Sequence, residues 1–173
     1  MKPENLRTGL GHDTHRLIDG GPLLIGGVEI EFDKRLDGHS DADVLLHAVT
    51  DAVLGAAGMG DIGELFPNTD EANRGRSSVE MLQIAMKQFR DAQFKLLSLD
   101  CILFAEKPKF SGYKQQIEDS IARTVDIESS LVNVKAKTGE GLGDVGQSKC
   151  MMAQVVALVY QGEGQEEGQE DRP

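Results

Sequence analysis

His39-Ser40-Asp41-Ala42-Asp43-Val44-Leu45-Leu46-His47-Ala48 is the stretch on which the reading of the fold turns. It opens a strong helical pattern, expected over Ser40 to Ala57, and Ser40 followed three residues later by Asp43 resembles a capping box with Asp in place of the usual Glu. Gly58 and Gly60 stop that helix. Upstream, Leu6 to His15 reads as a strand broken by glycines. Leu23-Leu24-Ile25 and Val28-Glu29-Ile30 read as short strands joined at Gly26-Gly27, a hairpin signal. Downstream, Asp61 to Asn73 is expected to be a loop long enough to be functional, and Ser78 to Gln93 an amphipathic helix. A buried strand from Leu97 to Ala105, a turn at Lys107-Pro108-Lys109 and a helix from Gly112 to Thr124 follow. Leu131 to Lys137 alternates as a strand with one apolar face, and Lys149 to Tyr160 reads as a last helix. This order predicts an α/β domain over residues 1–160, a sandwich of a mixed sheet with helices on one face. Gln161 to Pro173 is polar and acidic, and is expected to be a disordered tail.

At 173 residues the chain is long enough for one domain with its own core. Its net charge of −11 makes it a poor partner for nucleic acid, whose phosphates attract Lys/Arg-rich surfaces. An anionic substrate would therefore need positive charge from elsewhere, and metal ions are the obvious source. The two cysteines, Cys101 and Cys150, lie in apolar segments without metal-type spacing and are expected to be buried, reduced thiols. The first residues lack the apolar stretch of a signal peptide, and no apolar run reaches the ~18 residues that a membrane span needs. A soluble, cytoplasmic protein with no membrane partner is expected.

Two short segments, Asp13-Thr14-His15 and His39 to His47, hold three of the four histidines. Residues two apart on a strand point to one side, so Asp13 and His15 can face a common ion, with His47 approaching from the helix. Two imidazoles and a carboxylate suit zinc and leave a fourth position open. Asp43, four residues before His47, can either orient that imidazole or sit as a carboxylate favoured by the helix dipole. On spacing alone such a constellation also arises by chance.

Two glycine-containing loops carry phosphate-type chemistry. Met59 to Asp70 mixes glycines with donors and acidic residues, and Lys135 to Gly143 runs from a strand into a glycine-rich turn whose N–H groups can hold phosphate oxygens. Thr138 adds a hydroxyl, and Glu140 can bind a hard cation. Neither loop is a Walker A or dinucleotide fingerprint, and each taken alone fits an ordinary connection.

Taken together, Gly11-His12-Asp13-Thr14-His15, the His39 to Ala48 stretch, Gly60-Asp61-Ile62-Gly63 with Phe66-Pro67-Asn68-Thr69-Asp70, and Val132-Asn133-Val134-Lys135-Ala136 closely resemble 2-C-methyl-D-erythritol 2,4-cyclodiphosphate synthases, from about Leu6 to Tyr160. The resemblance implies a homotrimer with active sites at subunit interfaces, in the non-mevalonate route to isoprenoids. The implied reaction cyclises 4-diphosphocytidyl-2-C-methyl-D-erythritol 2-phosphate and releases CMP. It implies one zinc ion per subunit on Asp13, His15 and His47, and a second divalent ion, Mg²⁺ or Mn²⁺, on Glu140. His39 and Thr138 are implied in catalysis near the reacting phosphates. Substrate contacts are implied for Asp13, Thr14, His15, His39 and Ser40, for the methylerythritol pocket of Asp61, Ile62, Gly63, Phe66, Pro67, Asn68, Thr69 and Asp70, and for the cytidine segment with Ala105, Lys107, Pro108, Lys109, Phe110 and Ser111. Lys137, Thr138, Gly139 and Glu140 complete the implied set.

The chain departs from that family's pattern after Ala136. Lys137 occupies a threonine slot, where it is an added phosphate contact or a solvated charge, and Asp144 and Gln147 stand in the aromatic and arginine places. Losing the ring and the bidentate cation predicts that an isoprenoid diphosphate effector site on the trimer axis is absent. Asn68 stands where Asp is more usual, which keeps hydrogen bonding and loses charge. Two alternatives remain at this point: a zinc phosphohydrolase on the same scaffold, and a catalytically inactive metal- or nucleotide-binding relative.

Overall fold

The structure, a computed structural model, describes residues 2–162. In chain order the strands are β1 (Leu6–Asp19), β2 (Leu23–Ile25), β3 (Val28–Ile30), β4 (Lys34–Asp37), β5 (Phe94–Phe104), β6 (Val132–Lys137) and β7 (Cys150–Gln161). The helices are α1 (Val44–Ala57), α2 (Ile62–Leu65), α3 (Ser78–Asp91), α4 (Lys114–Val125) and α5 (Gly143–Gly146). β4-β1-β7-β5-β6 form one sheet, antiparallel except for the parallel β5–β6 pair, while β2 and β3 form a separate hairpin. The expected mixed sheet under a layer of helices is therefore present. No helix among the described residues is long and apolar enough to cross a membrane.

The layer arrangement follows from alternation. On β7, Met151, Ala153, Val155, Ala157 and Val159 are buried beneath α1, and the residues between them face the other way. That other face carries Leu10 of β1 opposite Val156 of β7, 69% and 45% exposed, so none of the described residues covers it there. Here the sequence reading is corrected: Lys149 to Tyr160 is a strand, not a helix. Both faces of β7 are largely apolar, which hides the period of two that marks a strand.

β1 is also continuous rather than broken. Gly9 and Gly11 both point at α1, where an added Cβ would collide with the backbone carbonyls of Ala52 and Ala48. These glycines mark close approach of helix and strand, one of the two uses of glycine within a strand. The unanticipated β4 lengthens the sheet edge beside the far end of β1. Residues 61–73, expected to be a loop, contain α2 and a 3-10 turn at Glu71–Asn73.

α1 begins at Val44, four residues later than expected, and Asp43 itself is the N-cap. Its Oδ1 accepts from Leu45 N and Leu46 N at 3.1 and 3.0 Å. The same carboxylate accepts the N–H groups of Gly26 and Gly27, at 2.9 and 2.7 Å, from the hairpin turn. Both glycines have positive φ, as this turn requires. Burial pushes the Asp43 carboxyl upward, and the backbone N–H donors oppose that. A cap of this kind contributes about 1 kcal/mol from the helix alone, and more here because it also ties down the hairpin.

Cys101 is buried, with its thiol pushed up to about 12 by burial, whereas Cys150 is only half-buried; both are free thiols. Of the segment expected to be a tail, Gln161 closes β7 and accepts from Arg7. The remainder of that tail, residues 163–173, lies outside the described residues.

Gly11→Ala is expected to lower stability by at least ~2 kcal/mol, because the methyl meets backbone that cannot rotate away. Gly55→Ala, on the open side of α1, is expected to raise it by ~0.5–1 kcal/mol. Urea denaturation midpoints of the two variants check both signs.

Candidate metal centre and its cleft

Asp13, His15 and His47 converge as their spacing suggested. Asp13 and His15 are on the face of β1 that meets α1, and His47 is in the first turn of α1. Asp13 Oδ2 lies 2.9 Å from both His15 Nε2 and His47 Nδ1, and the two ring nitrogens are 3.1 Å apart. Donor atoms on a tetrahedral zinc ion at ~2.0–2.1 Å are separated by roughly 3.3 Å, so this triangle needs only slight opening to hold one. Burial alone would raise the Asp13 carboxyl, but the hydrogen bonds and charges of His15 and His47 outweigh it and hold it well below the usual carboxylate range. Burial would lower His15, and Asp13 beside it reverses that direction. An anionic oxygen between two imidazole nitrogens is an attractive donor set for a divalent cation.

The rings are oriented from behind. His15 Nδ1 donates to the Asp37 carbonyl at 2.8 Å, which leaves Nε2 as a lone pair toward the cluster. His47 Nε2 lies 2.9 Å from Ser78 Oγ and 3.1 Å from Ser40 Oγ. Asp43 does not orient His47, contrary to one of the two sequence readings, because its oxygens are engaged by backbone N–H groups. The helix-terminus reading of Asp43 is the one that holds.

These donors open into a cleft of about 340 Å³ lined also by His39, Ser40, Ile62, Gly63, Phe66, Asn68, Asn73 and Met81. Four of the residues expected in the sugar pocket thus lie around it. Asp61 instead caps α2 through Glu64 N, Pro67 accepts Asn73 Nδ2 at its carbonyl, and Asp70 caps the 3-10 turn through Ala72 N. With Thr69, they shape the loop and are not among the residues lining the cleft. Thr14 turns away: its hydroxyl meets His12 on the opposite face of β1.

Three residues that the sequence reading did not single out frame the cleft. Asp51, one helical turn beyond His47, accepts Ile62 N at 2.8 Å, and Asn73 receives Arg76 at 2.8 Å while Arg76 lies over the Phe66 ring. Ser78, the third, is buried at the start of α3. The i, i+4 spacing of His47 and Asp51 was a visible signal; nothing in sequence joins Ser78 to His47.

The remaining expected residues gather elsewhere. Ala105, Pro108, Lys109, Phe110, Ser111, Lys137 and Thr138 line a second cleft of about 240 Å³, together with Glu106 and Ala136. Gly139 N donates to Glu106 at 3.0 Å, and Thr138 Oγ1 to Glu140 at 3.0 Å, so the glycine-rich turn is tied to the 105–111 segment. Lys107 is not among the residues lining this cleft, and Glu140 is not part of the three-donor cluster. Within one chain the two groups line separate clefts.

The YgbB family matches residues 6–160. A protein of Treponema denticola named 2-C-methyl-D-erythritol 2,4-cyclodiphosphate synthase is 45% identical over 155 residues, covering 90% of this chain and 96% of that protein. One of the same name from Desulfatibacillum aliphaticivorans is 49% identical over 154 residues, covering 89% and 99%. Among solved structures, a 2C-methyl-D-erythritol-2,4-cyclodiphosphate synthase in a CDP-bound form superimposes with TM-score 0.82 at 37% identity, covering 88% of this chain and 99% of that one. The bifunctional IspDF from Campylobacter jejuni gives TM-score 0.88 at 40% identity, with 91% of this chain covered but only 43% of that longer protein.

Replacing Asp51 by Ala removes the acceptor that holds Ile62 N–H. Amide exchange at Ile62 and the following turn is expected to rise about tenfold, the equivalent of one hydrogen bond of ~1.4 kcal/mol, while any zinc affinity of the three-donor cluster is expected to be unchanged from wild type. Residue-resolved hydrogen exchange and a zinc titration check the two halves separately.

Proposed function

The chain belongs to the YgbB family and is an enzyme of the cyclodiphosphate synthase type, and from that premise we propose that it cyclises 4-diphosphocytidyl-2-C-methyl-D-erythritol 2-phosphate with release of CMP, in the non-mevalonate route to isoprenoids. The observation that carries this reading is the convergence of Asp13, His15 and His47 in a cleft lined also by His39, Ser40, Ile62, Gly63, Phe66 and Asn68. In the reaction, an oxygen of the 2-phosphate forms a bond to the β-phosphorus. The bond from that phosphorus to the oxygen bridging to the α-phosphate breaks, and CMP leaves with the electron pair.

The nucleophile is already ionised near neutral pH, so the residues need not remove a proton. What they supply is positioning, which brings the 2-phosphate and the diphosphate of one molecule into line. Ile62, Gly63, Phe66 and Asn68 hold the methylerythritol body, with His39 and Ser40 beside the phosphates. The 105–111 segment receives cytidine, and Lys109, Lys137 and Thr138 face the phosphate end of that cleft. Asp13, His15 and His47 would hold one zinc ion, and Glu140 a second divalent ion, Mg²⁺ or Mn²⁺; bound there, such ions supply Lewis-acid neutralisation of the diphosphate. An acidic chain thereby accommodates a polyanion.

A homotrimer completes the proposal. The uncovered sheet face with Leu10 opposite Val156 offers an apolar surface for association, and in the proposed trimer the two clefts, separate within one chain, meet across the boundary between copies. Asp144 and Gln147 are exposed and line an open cleft with Thr14, Arg16, Lys34 and Lys149, with no ring to receive an isoprenoid chain. The effector site is accordingly proposed to be absent.

Incubation of the zinc- and magnesium-loaded protein with the diphosphocytidyl substrate is expected to yield CMP and the cyclic diphosphate in equal amounts. His47→Ala is expected to lower the rate at least ~10³-fold, and chelation of both ions to abolish it reversibly. Linear products would identify a phosphohydrolase, and metal binding without turnover an inactive relative. Either would overturn the reading. Leu10→Glu with Val156→Glu is expected to convert trimer to monomer by light scattering, with turnover lost and zinc binding kept. Geranyl diphosphate is expected not to bind at micromolar concentration by calorimetry.

A further inference from the structure

This inference rests on the metal-holding role proposed for His47 and concerns what fixes that ring. To hold an ion at Nδ1, the imidazole must carry its proton at Nε2. Asp13 Oδ2, 2.9 Å from Nδ1, pulls the other way, since a carboxylate accepts a proton-bearing nitrogen as readily as it shares a metal. For His15 the choice is made by the Asp37 carbonyl, which can only accept. His47 has no carbonyl behind it. Its Nε2 faces two hydroxyls, Ser78 Oγ and Ser40 Oγ, and each can donate or accept.

The answer lies one bond further out. Asp41 accepts the Ser78 hydroxyl at Oδ1 and the Ser78 backbone N–H at Oδ2, the latter at 3.0 Å. A carboxylate has no proton to offer, so the Ser78 hydroxyl proton is committed to Asp41. Ser78 is 1% exposed and has no solvent to rotate toward. Its oxygen can therefore only accept from His47 Nε2–H. Ser40 Oγ accepts Ala42 N at 3.1 Å and can turn its own proton into the cleft. The segments are stitched together independently, by Gly75 N to the His39 carbonyl at 2.8 Å and Asp41 N to the Arg76 carbonyl at 3.2 Å, so the relay is held in place.

We propose that Asp41 and Ser78 are positioning residues that lock His47 as the Nε2–H tautomer and so keep the Nδ1 lone pair aimed between Asp13 and His15. Asp41→Asn gives the discriminating case. The Ser78 backbone N–H cannot turn, so the new amide must set its oxygen there and its NH₂ toward Ser78 Oγ. The Asp43 N–H, 3.3 Å from Oδ1, is too weakly held to reverse that choice. The amide then donates to Ser78, whose own proton turns to His47 Nε2, and the ring is driven to the Nδ1–H form. Ser78→Ala removes the buried acceptor, leaves Nε2 only the longer contact to Ser40 Oγ at 3.1 Å, and keeps the backbone N–H of residue 78 on Asp41.

The test measures zinc affinity by competition with a chromophoric chelator, and the ¹H–¹⁵N signal of the His47 ring in metal-free protein, where the surrounding residues alone set the tautomer. Wild type is expected to show a slowly exchanging, downfield Nε2–H. Asp41→Asn is expected to bind zinc about 10–100-fold more weakly, as for loss of an outer hydrogen-bond partner, and to lose that signal. Ser78→Ala is expected to weaken binding by about tenfold and to make the Nε2–H exchange fast. Urea midpoints are measured on both variants, so that an unfolded one is replaced as evidence by the other. Zinc affinity within about twofold of wild type, or weaker binding with the Nε2–H signal unchanged, would overturn the proposal. Wild type that takes up no zinc would instead sink the metal-holding reading on which it stands.

Discussion

The site depends on how closely α1 lies on β1. Gly9 and Gly11 put no side chain between them, so Ala48, Ala52 and Ala56 rest against strand backbone. The two surfaces also stay in step. Two strand residues advance about 6.7 Å and four helical residues about 6 Å, so each inward position on the strand meets the next turn of the helix. Gly9 meets Ala52 and Ala56, and Gly11 meets Ala48 and Ala52. The next inward residue is Asp13, and it arrives opposite His47. A side chain at either glycine would lever the helix outward, and a donor triangle with edges near 3 Å does not survive a shift of that size.

Asp43 supplies the second constraint, along the helix axis. By taking N–H groups from both the first turn of α1 and the Gly26-Gly27 turn, it fixes where the helix starts and what it starts against. His47 is therefore held in height as well as in distance from the strand. The loops that close the cleft are tied to this helix and to the segment just before it: Asp51 holds the start of α2, and Asp41, two residues before the N-cap, holds the start of α3 through Ser78. Three carboxylates within eleven residues, Asp41, Asp43 and Asp51, thus tie the hairpin turn and the starts of α2 and α3 to one packed helix and its N-terminal approach.

What was legible in the sequence follows from the range of the interactions involved. Local signals were read correctly where one face is apolar and one polar, as in α3 and the β2–β3 hairpin. They failed for β7, whose two faces are both apolar because one meets α1 and the other is left without cover by the described residues. The helix start was misplaced because Ser40 and Asp43 both look like caps, and only the hairpin N–H groups, distant in sequence, select Asp43. Asp13 and His15 were legible from strand period, and His47 from its place on a helix. Ser78 was not, since its link to His47 crosses 31 residues and leaves no spacing to detect. Thr14 was drawn in by the resemblance, although the same strand period that unites Asp13 and His15 puts it on the other face.

The altered loop after Ala136 can be weighed on the same terms. Lys137, Asp144 and Gln147 are all exposed, and the Asp144–Lys149 pair, 3.4 Å apart on the surface, contributes at most about 1 kcal/mol. Their identity can change without moving the backbone. The positions that set the turn are others. A Cβ at Gly139 would meet the backbone of Gly146 and Leu142, and one at Gly146 the backbone of Gly141, so neither glycine leaves room for a side chain. Gly139 N also ties the turn to Glu106 and hence to the 105–111 wall. The constraint that shapes the second cleft is thus one of backbone contact, as it is between β1 and α1. Lys137, Asp144 and Gln147 stand on the exposed side of a turn whose path is set by Gly139, Gly146 and Glu106, so the fold is indifferent to what these three side chains are.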